Sequence, residues 1–275
     1  MIIDSHQHFW NYDPIRDIWI DNSMAVLKRN FLPKDLKKIY KINSVDGCVA
    51  VQADQSEEET IFLLDQASKN NFIKGVVGWL DIKSSKLNDL LSYYTKYPVF
   101  KGLRHIVQNE KDINFMLKSD FQRGLSCLEE YNLTYDILIK EHQMDQAIKM
   151  VKKNPNQIFI LDHIGKPKIS KNIDSTWIKN INELSLNENV FCKISGLVTE
   201  TKFFKWEIND FKPFLDLIFK CFGVDRVMYG SDWPVCLLSS TFEDTINIVK
   251  YHISSFSDNE KNKIMSLNAI KAYNL

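Results

Sequence analysis

The sequence predicts a (β/α)8 barrel, and three features of the chain support this fold class. Eight short apolar runs recur along it, and segments with helical periodicity lie between several of them. The length of 275 residues is close to the roughly 250 that one such barrel needs. No Gly-x-Gly-x-x-Gly motif follows any run, which disfavours the main alternative, a doubly wound open sheet. We therefore expect one barrel domain spanning residues 1–275.

The eight apolar runs are rich in Val, Ile and Phe, as expected of parallel strands that are buried on both faces. The first predicted strand covers residues 2–5, and the eighth covers residues 226–229. The six strands between them cover residues 45–52, 75–80, 99–104, 133–139, 158–163 and 190–195.

The segments between the strands carry helix signals. Residues 56–70 begin with Ser56 as a candidate N-cap and have Glu59 three residues later, which is a capping-box pattern. In residues 141–152 the apolar residues are spaced for one helix face. Further helices are predicted at residues 177–184, 212–222 and 257–273, the last with a break near Ser266. Residues 9–31 form a predicted long loop or lid after strand one.

The composition excludes several classes of protein. The 35 basic and 35 acidic residues cancel, which removes the broad positive charge of a general nucleic-acid binder or a polybasic membrane protein. No apolar run approaches the roughly 20 residues of a membrane-spanning helix, and no secretory signal pattern opens the chain. The five cysteines are odd in number and widely spaced, and no Cys-x-x-Cys pair occurs, so we expect a reduced, cytoplasmic protein.

Polar residues crowd the carboxyl ends of the predicted strands, where barrel enzymes place their active sites. Solvated loops would scatter such residues, so the crowding indicates an active site. The chain has no Gly-x-Ser-x-Gly elbow and no Walker loop, which disfavours a serine hydrolase and a nucleotide hydrolase. The candidate residues are, in strand order, His6, His8, Arg104, His105, His163, Lys193 and Asp232.

The His6-x-His8 pair is the sharpest of these signals. Residues two apart on a strand point to the same side, so the two imidazoles could hold a divalent metal or flank an anionic substrate. Asp232, in Tyr-Gly-Ser-Asp-Trp-Pro, could ligate a metal and take a proton from an attacking water. The alternatives are two surface histidines and an ordinary turn aspartate. We favour a functional role for His6, His8 and Asp232, because strands one and eight are neighbours where a barrel closes.

The remaining candidates leave more alternatives open. His163 is a potential ligand, hydrogen-bond donor or acid–base group, or else a buried histidine paired with its neighbour Asp162. Arg104, followed by His105, could polarise a carbonyl or clamp a carboxylate, or could form a structural ion pair. Lys193 could simply pair with Asp136 inside the barrel. Three aromatic residues could form a substrate wall or pack in the interior, namely Trp10, Trp19 and Trp233.

The ordered set of motifs resembles a known group of proteins. It comprises Asp4-Ser-His6-Gln-His8-Phe-Trp10, Lys101-Gly-Leu-Arg104-His105, Leu161-Asp-His163-Ile-Gly-Lys166-Pro167, Cys192-Lys193-Ile-Ser195-Gly196-Leu-Val-Thr199-Glu200 and Tyr229-Gly-Ser-Asp232-Trp-Pro-Val. These motifs resemble the amidohydrolase superfamily, and more narrowly its sugar-lactonase branch of L-fuconolactonase- and L-rhamnonolactonase-like proteins, which is related to the 2-pyrone-4,6-dicarboxylate lactonases. The resemblance implies a distorted (β/α)8 barrel that hydrolyses the lactone of a sugar acid.

The resemblance also bears on the metal content. Dinuclear members of the superfamily use a lysine after strand four and a histidine after strand five, whereas this chain has Arg104-His105 and Asp136 there. A two-metal site is therefore disfavoured. The resemblance implies either one divalent ion, most plausibly zinc, held by four side chains, or a metal-free site in which the histidines and Arg104 grip the substrate. The four candidate ligands are His6, His8, His163 and Asp232.

The expected function is therefore lactone hydrolysis on a small-molecule substrate, with no nucleic-acid or membrane partner. Asp232 is the predicted general base, and His163 and Arg104 are the other predicted catalytic residues. A metal-dependent decarboxylase is the enzymatic alternative, and a non-catalytic barrel that binds a sugar acid is the second. Asp232 argues against the latter, because a site for an anion gains nothing from a buried carboxylate. The predicted substrate-binding residues are His6, His8, His105, Trp10, Trp233 and Lys193.

Overall fold

Eight parallel strands stand side by side in chain order in the computed structural model, which describes residues 1–202 and 205–275. Helices lie between them, so the predicted (β/α)8 fold is confirmed. The strands are β1 (Ile3–Gln7), β2 (Gly47–Val51), β3 (Ile73–Gly78), β4 (Phe100–His105), β5 (Thr134–Ile137), β6 (Phe159–Leu161), β7 (Val190–Ile194) and β8 (Val227–Tyr229).

The first and last strands close the barrel through the segment that follows β8. Gln7 and Trp233 form a parallel bridge, and the His8 amide donates to the Trp233 carbonyl at 2.7 Å. The Asp232 amide donates to the carbonyl of His6 at 2.8 Å. The seam predicted from the sequence therefore brings the two histidines next to Asp232.

The helices bury the faces that their sequences predict. The Ser56 hydroxyl accepts a hydrogen bond from the Glu59 amide at 3.2 Å, which confirms the predicted N-cap. Lys263–Leu267 form a π-helical turn, which confirms the irregularity predicted near Ser266. The helices are α1 (Pro33–Asn43), α2 (Glu57–Lys69), α3 (Leu87–Tyr94), α4 (Ser119–Glu130), α5 (Met144–Lys153), α6 (Ser175–Ser185), α7 (Lys212–Phe222), α8 (Phe242–His252), α9 (Asp258–Asn262) and α10 (Asn268–Tyr273).

Seven of the eight strands end one or two residues away from their predicted carboxyl ends, and the differences at β1 and β6 fall among the candidate site residues. Strand β1 extends to Gln7, so His6 lies within the strand rather than after it. Strand β6 ends at Leu161, so Asp162 and His163 belong to the turn that follows. The long segment after β1 is tied at its ends by an antiparallel bridge between Trp10 and Phe31. Among the described residues no helix is long and apolar enough to cross a bilayer.

Candidate active site

A cavity of about 190 Å³ opens at the carboxyl ends of the strands. Four of the predicted site residues line it, and they come from four different strand ends: His8, Arg104, His163 and Asp232. Apolar side chains form another part of the wall, namely Trp19, Ala53, Ile106, Leu138 and Val235. The remaining lining residues are polar: Gln108, Asn109 and Lys166. The cavity thus combines ionisable groups with an apolar surface, as small-molecule sites do.

Asp232 meets both histidines of the His-x-His motif. Its Oδ1 lies 3.4 Å from His8 Nε2 and 3.7 Å from His6 Nε2, and all three side chains are nearly inaccessible to solvent. Although burial opposes the charge, the nearby His163, His8 and His6 hold the pKa of Asp232 below its usual range. The carboxylate is therefore ionised at neutral pH. Its backbone has a φ of 58°, a left-handed conformation that aspartate tolerates better than most residues.

The hydrogen bonds of His8 fix its orientation. Its Nδ1 lies 2.7 Å from the carbonyl oxygen of Val51 at the end of β2, so this nitrogen carries the proton in the neutral ring. The Nε2 atom then presents its lone pair to Asp232 and to His6 Nε2, which is 3.2 Å away. A nitrogen held in this way is suited to bind a metal or to accept a proton.

His6 sits at the boundary between the cavity and the barrel interior. Its Nδ1 lies 3.2 Å from both Asp162 Oδ1 and Lys193 Nζ. If Nδ1 donates to Asp162, Nε2 presents a lone pair towards His8 Nε2 and also towards Arg104 Nη1, which is 3.3 Å away. In that tautomer either the Arg104 donor or a cation between the two histidines can satisfy Nε2. If Nδ1 accepts from Lys193, Nε2 donates to His8 and the pair is satisfied without a metal. Burial lowers the pKa of His6 well below its usual value, so the ring is neutral in either tautomer.

The donor atoms near these histidines fit a divalent cation. Two groups of described residues could each hold one, with ligand atoms within 4.8 Å of one another. The first is His6, His8 and Asp232, and the second is His6, Asp162 and His163. Imidazole nitrogens with a carboxylate form a set that borderline metals such as zinc accept. His6 is common to both groups, which places any single ion beside it.

Arg104 joins the cavity to a buried charge network. Its Nη1 donates to Asp162 Oδ2 at 3.0 Å, and its Nη2 donates to Gln52 Oε1 at 3.0 Å and also to the Gln52 carbonyl. Its Nε is buried and has no partner among the described residues. An unsatisfied charged donor beside a cavity is a ready contact for an oxygen of a ligand.

Two carboxylates and a lysine complete the network beneath the cavity. Lys193 Nζ lies 2.5 Å from Asp136 Oδ2 and 3.0 Å from Asp162 Oδ1, and all three side chains are fully buried. The Tyr273 hydroxyl, from α10, donates to Asp136 at 2.6 Å. Burial opposes ionisation of Asp162, but Lys193, His6 and Arg104 hold its pKa well below the usual range. The pairing of Lys193 with Asp136, one of the two sequence-based alternatives, is therefore present.

His163 is presented by a strained turn. Its φ of 55° and that of Ile164, 50°, are left-handed although neither residue is glycine. The Ser195 hydroxyl lies 2.9 Å from His163 Nδ1, and the pKa of His163 is lowered to about 4 by burial. Gly196, with a φ of 62°, makes room for the ring, since a Cβ there would lie 2.5 Å from His163 Nδ1. The alternative pairing with Asp162 is not formed, because Asp162 contacts Arg104, Lys193 and His6 instead.

This geometry can be compared with that of known proteins. The family model described as amidohydrolase matches residues 3–275. The chain belongs to the amidohydrolase family. It is 33% identical to the L-fucono-1,5-lactonase of Burkholderia multivorans over 99% of this chain and 96% of that protein. A crystal structure of an amidohydrolase from Burkholderia multivorans with bound zinc superimposes with a TM-score of 0.97 at 32% identity, covering 100% of this chain and 99% of that one.

A structure that is more distant in sequence has a similar fold. The dihydroxybenzoic acid decarboxylase of Polaromonas sp. JS666, solved with manganese and an inhibitor, superimposes with a TM-score of 0.71. Its sequence is only 13% identical, over 100% of this chain and 97% of that one, so this likeness shows a common fold alone.

Five of the six predicted substrate-binding residues do not line the amidohydrolase cavity. One of them is His6, which is fully buried beside Asp232. Lys193 is enclosed beneath it because two buried carboxylates require its charge. His105 faces Glu110, with Nε2 2.7 Å from the carboxylate, and stacks on a phenylalanine. Trp10 and Trp233 are 3% and 1% exposed and pack edge-on against the ring of Phe31, which corrects the substrate-wall interpretation for both.

Several residues of the site were not predicted. Lys166, Gln108 and Asn109 line the cavity, but single polar residues in loops carry no periodic signal. By contrast, Trp19, 39% exposed, lines the cavity and is one of the three tryptophans that the sequence offers for a substrate wall. Asp4 accepts hydrogen bonds from the Ser231 amide at 2.8 Å and from the Ser231 hydroxyl, so it fixes the segment that carries Asp232. The only signal for Asp4 in the sequence is its position two residues before His6.

Proposed function

We propose that this amidohydrolase opens the ester ring of a sugar-acid lactone by adding water. The observation that carries the proposal is that two residues line one small cavity: Asp232, with its ionised carboxylate, and Arg104, whose buried Nε has no partner among the described residues. A cavity of about 190 Å³ suits a ligand of monosaccharide size. The similarity to an L-fucono-1,5-lactonase over nearly the whole chain supports the same class of substrate.

In the proposed reaction Asp232 accepts a proton from water as the water oxygen bonds to the lactone carbonyl carbon. The carbonyl oxygen becomes an oxyanion, and the guanidinium of Arg104 donates a hydrogen bond to it. The bond between the carbonyl carbon and the ring oxygen then breaks. Asp232 returns its proton to the departing alkoxide, which leaves the open-chain sugar acid.

His163 has a supporting role in this proposal. Its pKa of about 4 keeps the ring neutral at physiological pH, so it exchanges hydrogen bonds rather than bearing a charge. The left-handed turn and Ser195 hold the ring at the cavity wall. We assign it to orienting the lactone carbonyl between Asp232 and Arg104.

We propose zinc as the metal, with His6, His8, His163 and Asp232 as the candidate ligands. The fixed tautomer of His8 and the proximity of Asp232 support the part of this set formed by His6, His8 and Asp232, and a similar structure carries zinc. A bound divalent ion would polarise the carbonyl and lower the pKa of water.

The five unpaired cysteines, three of them buried, support the expectation of a reducing, cytoplasmic setting.

A panel of aldonolactones tests the activity. Ring opening releases acid, which a pH indicator records, and trapping of carbon dioxide in parallel monitors decarboxylation of carboxylated aromatic substrates. We expect turnover of at least one six-carbon lactone and no carbon dioxide. Carbon dioxide release without lactone turnover would favour the decarboxylase alternative. Binding of sugar acids without turnover of any lactone would favour a non-catalytic barrel.

Elemental analysis tests the metal assignment. We expect about one zinc per chain after purification, and loss of activity after exhaustive chelation that added zinc restores. Full activity in protein free of stoichiometric metal would refute the zinc assignment and leave lactone hydrolysis standing. The tautomer in which His6 donates to His8 would then describe the working site.

A further inference from the structure

The turn after β6 adopts a conformation that its residues disfavour. Four consecutive residues have positive φ: His163 at 55°, Ile164 at 50°, Gly165 at 76° and Lys166 at 50°. L-residues other than glycine lose stability in the left-handed region, and a residue before proline is normally extended. Lys166 meets both conditions, since Pro167 follows it. Strain of this kind persists where the surrounding structure imposes it, often at functional sites.

The surroundings hold this turn firmly. The Lys166 amide donates to the His163 carbonyl at 2.9 Å, and the Trp177 indole donates to the carbonyl of Ile164 at 3.0 Å. The first of these hydrogen bonds closes the turn, and the second anchors it to α6. The side chain of Lys166 is thereby carried to the same cavity as that of His163.

The ammonium group of Lys166 makes a long ion pair with Glu200 and no hydrogen bond to a described residue. Its side chain is 21% exposed, and the nearest carboxylate oxygen among the described residues is Glu200 Oε1, 3.8 Å from Nζ, which is beyond hydrogen-bond distance. Lys166 lines both the cavity and a wider groove of about 600 Å³ beside it. Gln108 and Asn109 line both spaces as well, so these three residues form a polar junction.

We propose that Lys166 is a specificity-determining residue that donates hydrogen bonds to hydroxyl oxygens of the substrate. Such oxygens are present on the ring of a sugar-acid lactone and absent from a plain alkyl lactone. Lys166 thereby selects polyhydroxylated lactones, and the strained turn keeps its amine at the junction. This inference rests on the proposed function and deepens it.

Substitution at Lys166 tests the selection. Lys166→Met keeps a long side chain and the left-handed backbone but removes the donor. A hydrogen bond from a charged group is worth about ten- to hundredfold in affinity, so kcat/KM for an aldonolactone falls by that factor. For δ-valerolactone, which has no hydroxyl groups, kcat/KM of the variant stays within about threefold of the wild type. If its turnover is too slow to measure, its inhibition constants with the two proteins are compared instead. Lys171→Met, at an exposed position of the same segment outside both the cavity and the groove, leaves kcat/KM for both substrates unchanged.

Two further variants separate specificity from structure. Lys166→Gly relieves the backbone strain, so its melting temperature stays level or rises, while the preference for the aldonolactone is lost. Lys166→Arg restores part of that preference because it supplies a cationic donor. Equal losses on both lactones, or an unchanged ratio in Lys166→Met, would overturn the inference while lactone hydrolysis stands. A wild-type enzyme that opens no lactone would overturn both.

Discussion

Asp232→Asn is the most direct test of the proposed chemistry. Asparagine has the same shape as aspartate and also tolerates the left-handed φ of 58° at this position. The amide hydrogen bond to the His6 carbonyl does not involve the side chain and is retained. The substitution therefore removes the negative charge and the proton acceptor while leaving the seam between β1 and β8 intact.

The expected size of the effect follows from the position of the carboxylate. The histidines around Asp232 keep it ionised, so in the wild type the whole population is able to accept a proton at neutral pH. The asparagine side chain accepts none. Loss of a general base lowers turnover by about 10²- to 10⁴-fold, which corresponds to about 3–5 kcal/mol in the activation free energy. We expect kcat to fall by at least a hundredfold on the best aldonolactone.

Turnover, melting temperature and metal content are measured together. A melting temperature within a few degrees of the wild type shows that the variant is folded, and unchanged metal content separates loss of the base from loss of a ligand. Asp225→Asn, at a surface carboxylate 65% exposed and paired with Lys263, serves as the matched control. Turnover within threefold of the wild type in a folded Asp232→Asn protein would refute the role of Asp232 as base.

Two further substitutions test the electrostatics of the interior. Lys193→Met leaves Asp136 and Asp162 buried without their shared cation. The free energy of unfolding, measured with urea, should therefore fall by about 3–5 kcal/mol. A decrease below about 1 kcal/mol would contradict the stabilising role of this charge network. Burial raises the pKa of Glu59 from 4.5 to about 7, so the wild type loses stability as pH rises from about 4.5 to 7. Glu59→Gln lacks this titration. As pH rises from 4.5 to 8, the free energy of unfolding of the variant should therefore increase by about 3 kcal/mol relative to that of the wild type. A difference that does not change with pH would contradict the raised pKa of Glu59.

The sequence was informative where a feature follows from periodicity or from strand order. Apolar runs of similar length alternate with helical segments, and this alone predicts eight parallel strands. Because parallel strands all point the same way, residues just beyond their carboxyl ends share one face of the barrel. This reasoning predicts a shared cavity for His8, Arg104, His163 and Asp232, and all four line one cavity in the structure.

The sequence was less informative where side-chain direction or local strain decides the outcome. Trp10 and Trp19 lie in one loop, yet Trp10 packs inward on Phe31 while Trp19 reaches the cavity. Nothing in their spacing distinguishes them. The end of β6 was placed two residues too late because Asp162 and His163 follow an apolar run without a turn signal. A left-handed turn built from non-glycine residues contradicts local preference, so no local rule predicts it.

Glycine positions explain how the histidines fit so closely together. At Gly230 a Cβ would lie 2.8 Å from the Cβ of His6, and at Gly196 it would meet the ring of His163. Gly230 directly follows β8 and Gly196 lies two residues after β7, and each lets a histidine from a neighbouring element approach the backbone. The rings of His6 and His163 consequently have centroids 4.5 Å apart. The distances among the catalytic candidates are thus set by residues that contribute no functional group, and a search confined to ionisable side chains overlooks them.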